Sequence, residues 1–463
     1  MPHPLASDIL TGVFVGRYPL AHRVLPTVQG FHPPEVRLMS GRKKLVLLVA
    51  IFTLMPPAFA ASTEAVLYSF CSASGCKDGA YPYFGGVIFD AAGNLYGTTA
   101  YGGNTECAGN GCGTVFQLVP GTNGTWTQTV LHTFDGTGGA LPSGLILDKA
   151  GNLYGTTQKG GAHHVGTVYQ LLRGKNGKWS EKVLHSFSGT DGAEPNPGLI
   201  FDSAGNLYGT TLSGGGEKGG VLFQLVPGAK GTWTEKVLHS NYLGARGPGP
   251  YGTGGLTFDT SGSLYGTTVG GGVTEGEVFR LKPGASGKWE QEVLYDFSSS
   301  NGTGGANPPG GLIFDAGGNL YGSTWEGGTK GACGGSGCGV VFQLTPDGNG
   351  KWTETVLHDF EGNDGQQPNA RLIFDTSGNL YGTTAVGGLG SYGPGGTVFE
   401  LSPSASGWNE TVLYNFCSIS GCADGSYSLA GVVLDIAGNL YGTTDSGGAN
   451  HNNQYGTVFE VTP

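Results

Sequence analysis

Eight cysteines are the first residues whose chemistry can be weighed. They form four pairs of identical spacing: Cys71/Cys76, Cys107/Cys112, Cys333/Cys338 and Cys417/Cys422. Such a pair can close a disulfide, hold zinc or supply a nucleophile. No cysteine stands alone, which argues against a free nucleophile. Zinc ligand pairs usually bracket two to four residues, so this spacing is at the edge of the range, and two pairs would have to converge. Local disulfides are the leading reading, and they belong in an oxidising compartment. Each would pin a long loop that has little core of its own. Closing so short a loop stabilises by about 2 kcal/mol at most.

Carboxylates and aromatics come next. Asp78, Asp191, Asp364 and Asp424 each precede a glycine. Such steps read first as turns. Their carboxylates could instead ring a channel mouth and hold a cation. Tyr101 in "YGG" and Trp325-Glu326 in "WEGG" break the local pattern around them. An exposed aromatic there could stack on a sugar face. His132, His185, His239 and His358 share one strand position and are expected to be packed or hydrogen-bonded. His163, His164 and His451 lie in loops where metal binding is the alternative to a solvated role. The chain has no G-x-S-x-G, P-loop or H-E-x-x-H motif. No catalytic residue is assigned and no cofactor is expected. Remote carboxylates could still be paired by the fold, as glycoside hydrolysis requires.

These residues sit within a repeat. Five copies of a "D-x-x-G-N-L-Y-G-T-T" phrase and two one-residue variants of it, with Ser263 and Ser323, align on Tyr96, Tyr154, Tyr208, Tyr265, Tyr321, Tyr381 and Tyr441, at spacings of 54 to 60 residues. A preceding Asp occurs in each: Asp90, Asp148, Asp202, Asp259, Asp315, Asp375 and Asp435. An Asx-type turn accounts for these carboxylates. Calcium in the turns is the alternative, although the alternating Asp ladder of calcium loops is missing. Each unit offers four strand-like runs, as in "GLIFD", "NLYGTT", "GVLFQL" and "WTEKVLHS". Four short strands per repeat match a propeller blade.

The phase of the repeat supplies closure. Residues 62–70 read as a fourth-type strand with no third strand before it, and residues 456–461 as a third-type strand with no fourth after it. Pairing them removes unpaired edges from the array. The expected fold is all-β: a seven-bladed propeller with four antiparallel strands per blade. The hairpin turns lie on one face. The fourth-to-first and second-to-third connections lie on the other, and their lengths vary. All four cysteine pairs fall on that second face. Variable loops on a rigid scaffold are where a site is expected.

Residues 1–60 read differently. Arg42, Lys43 and Lys44 precede the apolar run Leu45–Leu54, and "AFA" at 58–60 precedes Ala61. That is the pattern of a secretory signal peptide over 39–60, cleaved near Ala60/Ala61. Residues 1–38 are expected to be a mis-called upstream or disordered extension, and 61–463 a single propeller. Removing 1–60 takes away six Lys/Arg and two Asp/Glu and leaves a net charge near −15. No basic stripe remains, which argues against nucleic acid and anionic membranes. The mature chain has no run apolar enough to span a membrane. A monomer is expected.

The ordered set of "GNLYGTT", Gly pair and "GTVFQL" across 62–463 resembles the bacterial GloVer, or choice-of-anchor, tandem-repeat family. The resemblance implies an exported protein, secreted, periplasmic or on the cell surface, with no established activity. The family's name refers to differing C-terminal anchors. Here Pro463 directly follows the last strand, so release is as much expected as attachment. The hairpin also resembles those of NHL-type and gluconolactonase-like propellers. Two functions are carried forward. One is non-catalytic binding of a glycan or protein partner on the variable face. The other is a secreted hydrolase or lyase acting at the channel mouth.

Overall fold

The computed structural model describes residues 62–83, 85–216, 219–240, 255–269, 275–284, 287–297, 304–329, 333–450 and 454–463. All fall in one compact unit. The expected extension (1–38), the signal peptide (39–60) and an irregular stretch at Asn241–Gly252 lie outside the described residues. Among those described, no helix is long and apolar enough to cross a membrane.

The chain forms seven four-stranded antiparallel blades. The third shows the pattern, with Ile200–Phe201 innermost, then Leu207–Ser213, Val221–Pro227 and Trp233–Ser240. β-Branched and aromatic residues at alternate positions suit these pleated, half-buried runs. A register shift between Leu222 and Phe223 bulges the outer pair. It recurs at Val115/Phe116, Val168/Tyr169, Val278/Phe279, Val341/Phe342 and Val398/Phe399, so these blades twist in the same way.

The ring closes as the repeat phase requires. Thr63–Ser69 pairs antiparallel with Thr457–Thr462, from Thr63↔Thr462 to Ser69↔Thr457. This N-terminal strand completes the sheet that holds Leu440–Thr444 and Val433–Leu434.

The apolar core lies between blades rather than within them. Among the described residues there are seven buried clusters, one per junction. At the second-to-third junction Tyr154, Val168 and Phe187 meet Leu199, Leu207 and Phe223. Burying each such side chain contributes about 1.5–3 kcal/mol. The repeated tyrosine bridges each joint. The Tyr154 ring meets Phe201 and Trp233 of the next blade edge-on, with centroids 5.0 and 6.3 Å away. The glycine after it is required by close approach. At Gly209 a Cβ would stand 2.6 Å from Phe223 Cζ and 2.9 Å from Leu199 Cδ2.

The repeated Asp holds the hairpin. Asp202 Oδ1 accepts the Ala204 and Asn206 amides, both at 2.9 Å. Its Oδ2 accepts the Asn206 side-chain amide at 2.7 Å and the Tyr208 hydroxyl at 3.1 Å. Those donors hold its pKa below the ordinary value, despite burial acting the other way. Both oxygens are thus committed to the blade's own turn.

Candidate functional site

Among the described residues, blades are entered through connections on the variable face. In six of them a non-glycine residue takes the left-handed conformation: Tyr81, Leu141, Glu194, Asn307, Gln367 and Tyr427, with φ between +55° and +59°. Such a conformation costs an L-residue about 1–2 kcal/mol. Backbone bonds to two blades hold it. Tyr81 N–H donates to the Tyr455 carbonyl of the preceding blade at 2.9 Å, and its own carbonyl accepts Ala100 N–H at 2.8 Å. Tyr427 does the same with the Gly395 carbonyl and Asp445 N–H. Leu141 and Gln367 donate to the carbonyls of Cys112 and Cys338, the second cysteines of two disulfides. The backbone stitches the ring while the side chains are free to differ.

A second set of mouth residues follows each "GTT" or "GST": Ala100, Gln158, Leu212, Val269, Trp325, Ala385 and Asp445. Where the last, first and second blades meet, the two sets enclose a pocket of about 330 Å³. Tyr81, Tyr83, Tyr101, Ser143, Gln158 and Asp445 line it, with Ala100, Leu141 and Pro142. A second recess of about 550 Å³ shares Tyr81 and Tyr101 and continues to Cys76, Asn104, Asn110 and Tyr455. Tyr81 packs edge-on against both Tyr101 (5.8 Å) and Tyr455 (5.5 Å). The two recesses therefore form one groove with a tyrosine partition.

Among the described residues, Asp445 is the single acid lining the pocket. Burial raises its carboxyl to about 6, and a hydrogen bond from the Ser446 hydroxyl at 3.0 Å offsets part of that effect. Burial also raises the Tyr81 and Tyr83 hydroxyls, and the nearby Asp445 charge adds to the rise. The pocket thus offers hydroxyl donors, a carboxamide, ring faces and one poised acceptor.

The sequence-selected residues divide among three places. Tyr101 is in the pocket, and Cys76 lines the adjoining recess. Trp325 and Glu326 belong to the fifth blade's part of the mouth. The Trp325 indole N–H donates to Asn369 Oδ1 at 2.9 Å, and Glu326 accepts the Asn307 amide at 2.9 Å. Neither lines the pocket. The carboxylates of Asp78, Asp191, Asp364 and Asp424 sit between outer strands. Asp78 accepts Tyr68 O–H and the amides of Ser72 and Ala73. Asp424 accepts Tyr414 O–H and the amides of Ser418 and Ile419. Asp191 and Asp364 pair with His185 and His358. The reason is topological: these turns directly follow the outer strand, before the chain crosses to the centre.

The cysteines form the four local disulfides, Cys71–Cys76, Cys107–Cys112, Cys333–Cys338 and Cys417–Cys422, and none is free among the described residues. Their setting shows what two of these bridges hold besides. Cys422 lies in the connection between the strands Gly407–Asn415 and Val433–Leu434. It ends the short 3-10 turn Ser420–Cys422, with φ +54° and a half-buried side chain. Its N–H donates to the Ile419 carbonyl at 2.9 Å. Its own carbonyl accepts the Gly425 amide at 2.9 Å and the Gly448 amide at 3.0 Å. Cys76 plays the same part in the first blade, accepting the amides of Gly79 and Gly103. Each of these two cysteines ends a tight turn after an outer strand, so its carbonyl faces the glycine pair of the blade that follows. The bridge therefore fixes a backbone junction. Cys333 likewise lies in a 3-10 turn, Cys333–Gly335.

His163 and His164 lie exposed in their loop, and His451 lies outside the described residues. Sequence reasoning missed Tyr81, Tyr83 and Asp445. A faint signal existed for Asp445, an acid where five other repeats place Ala, Leu, Val or Trp.

A feature at the outer edge also went unread. The second residue after each outer-strand Trp, or its N-terminal counterpart, is Gln128, Glu181, Glu235, Gln291, Glu354, Glu410 or Glu64. Gln128 reaches the preceding blade by donating to the Asp78 carbonyl at 3.1 Å. Tyr295 O–H likewise donates to Glu354 of the next blade at 2.7 Å. Burial, then the charge of Asp424, raises Glu64 to about 8.

A family model described as the Gloeobacter/Verrucomicrobia repeat matches residues 49–181, 106–334 and 301–463. The chain belongs to this repeat family. No curated protein matches it. Among solved structures, a putative gluconolactonase is 19% identical, with 70% of this chain and 89% of that one covered and a TM-score of 0.38. A luciferin-regenerating enzyme is 15% identical, with 87% and 96% covered and a TM-score of 0.42.

Proposed function

We propose that this repeat-family chain is an exported, non-catalytic binding protein that takes a neutral carbohydrate segment in the tyrosine-partitioned groove. The observation that carries the reading is the pocket of Tyr81, Tyr83 and Tyr101 around the single carboxylate Asp445. Sugar rings present C–H faces that pack on aromatic rings, and hydroxyls that donate to a carboxylate and accept from phenols. The groove continues across the partition into the second recess, which suits two or more linked units. Four disulfides fit export into an oxidising compartment.

Hydrolysis by two carboxylates needs a second acid roughly 5–10 Å from the first. The described lining of the pocket holds Asp445 alone. This supports binding over the hydrolase reading. A lyase reading keeps one supporting observation, the phenols set beside an acid of raised pKa.

A glycan array probed with the full repeat chain tests the proposal. Binding should appear and should weaken at least tenfold in Tyr101→Ala, as expected from losing one stacking wall. Loss of binding in Trp325→Ala with no change in Tyr101→Ala would place the site elsewhere. Chain cleavage of a bound glycan, abolished by Asp445→Asn, would replace binding with catalysis.

A further inference from the structure

We propose that His185, Asp191 and Glu235 form a site for a divalent transition metal of the zinc class, clamping the outer edges of the second and third blades. Their ligating atoms all lie within 4.8 Å of one another. Each comes from a different backbone segment. His185 lies one residue before the end of the outer strand Trp179–Ser186, Asp191 lies in the following turn, and Glu235 belongs to Trp233–Ser240 of the next blade. An imidazole with two carboxylates is a donor set zinc accepts, with solvent completing the shell.

Two further observations point to a cation. The first is an orphan: Glu235 Oε1 is buried and has no hydrogen-bond partner. A buried carboxylate oxygen without a donor is costly, and a metal ion would satisfy it. The supporting residues already orient Asp191. Its Oδ1 accepts the Ser188 amide at 2.8 Å and hydroxyl at 2.9 Å, which leaves Oδ2 facing His185 Nε2 at 3.1 Å. Hydrogen bonds of this kind hold the outer atoms of metal ligands in place.

The second is the comparison among junctions within the one chain. His358, Asp364 and Glu410 repeat the same three residue types between the fifth and sixth blades, but among the described residues only the His185 set brings all three ligating atoms within 4.8 Å of one another. There His358 Nε2 lies 2.9 Å from Asp364 Oδ2, and Glu410 Oε1 is again buried without a partner. Other junctions break the set. Between the last and first blades Tyr68 replaces the His and Gln128 the Glu, and the Tyr hydroxyl satisfies Asp78 directly. Between the first and second, Gly138 stands where the Asp would be, and His132 pairs with Glu181 at 3.2 Å, although Glu181 Oε1 is also buried without a partner, so the orphan alone does not mark the site.

The full chain, stripped with chelator, is titrated with Zn2+ and its metal content measured after desalting. One equivalent is expected, at the His185 set, with a rise in melting temperature. His185→Gln and Glu235→Gln should each remove it. His132→Gln, at an incomplete junction, should remove none. Two variants at one site keep the result readable if either folds poorly. Retention of the equivalent in both variants, no saturable uptake by the unaltered chain, or equal uptake of Ca2+ and Zn2+ would each overturn the proposal.

Discussion

Replacing Gly209 by Ala adds a single methyl group to the most repeated phrase of the chain. That carbon would stand 2.6 Å from Phe223 Cζ and 2.9 Å from Leu199 Cδ2. Carbon atoms settle at about 3.5–4.0 Å, so these neighbours must retreat by roughly 0.6–0.9 Å. Neither has room, since Phe223 is 0% and Leu199 4% exposed within one inter-blade cluster. Overpacking of this kind costs about 1–3 kcal/mol. Unfolding entropy of about 2.1 cal/mol/K per residue over roughly 400 residues converts this to a fall of about 1–4 °C in melting temperature. Scanning calorimetry resolves that range. Gly216→Ala is the control, because no atom lies within 4 Å of its added carbon and its φ is not in the left-handed range. Trimming the ring in Gly209→Ala/Phe223→Leu should cost clearly less than the two single changes summed, as expected for residues in contact. A Gly209→Ala variant that melts with the Gly216→Ala control, or strictly additive costs, would refute the seat assigned to this glycine.

Other outcomes follow from the same structure. Asp90, Asp202, Asp259 and Asp315 have lowered folded pKa values, so their stabilisation is present above about pH 4 and is lost as pH falls through the folded values. Glu64 is raised to about 8, so its contribution is complete below its ordinary 4.5 and is lost as pH rises toward 8. Melting temperature against pH should therefore decline on both sides, and Glu64→Gln should flatten the alkaline limb. Glycan affinity, read by calorimetry, should fall up to tenfold per unit as pH drops below about 6, where Asp445 gains its proton. Asp445→Asn should remove that dependence. Replacing Cys107 and Cys112 by Ser should cost about 2 kcal/mol at most in a denaturant melt. It should weaken glycan binding several-fold, because Gly109 and Asn110 of the closed loop line the second recess.

The ring was readable because its instructions are periodic. Seven near-identical phrases, and end strands complementary in type, leave few other ways to bury the inter-blade faces. The loops carry no such period. Tyr101 could be selected because an aromatic interrupts a run of small residues. Tyr81 could not, since its role depends on a left-handed backbone that residue type does not announce. Asp78 and its counterparts were open to a channel-mouth reading because sequence gives the turn but not its radius from the axis. The structure seats them where outer strands meet. Spacing paired Cys417 with Cys422, but only the folded turn shows which amides the Cys422 carbonyl holds. The glutamates of the outer strands had no reading of their own, because only the neighbouring blade half-buries them.

The six left-handed mouth residues have a consequence for how such a ring can diversify. Their peptide groups join one blade to the next, so the joint is indifferent to which side chain each one carries. Swapping Leu141 for Tyr, or Glu194 for Gln, would re-dress the mouth and leave the seam closed. The one broad exclusion is steric, since β-branched residues resist positive φ. Tyr, Leu, Glu, Asn, Gln and Tyr fill the six positions, with no Val, Ile or Thr among them. The rim is in effect a set of interchangeable sockets, on which new specificities can be tried one substitution at a time without renegotiating the fold.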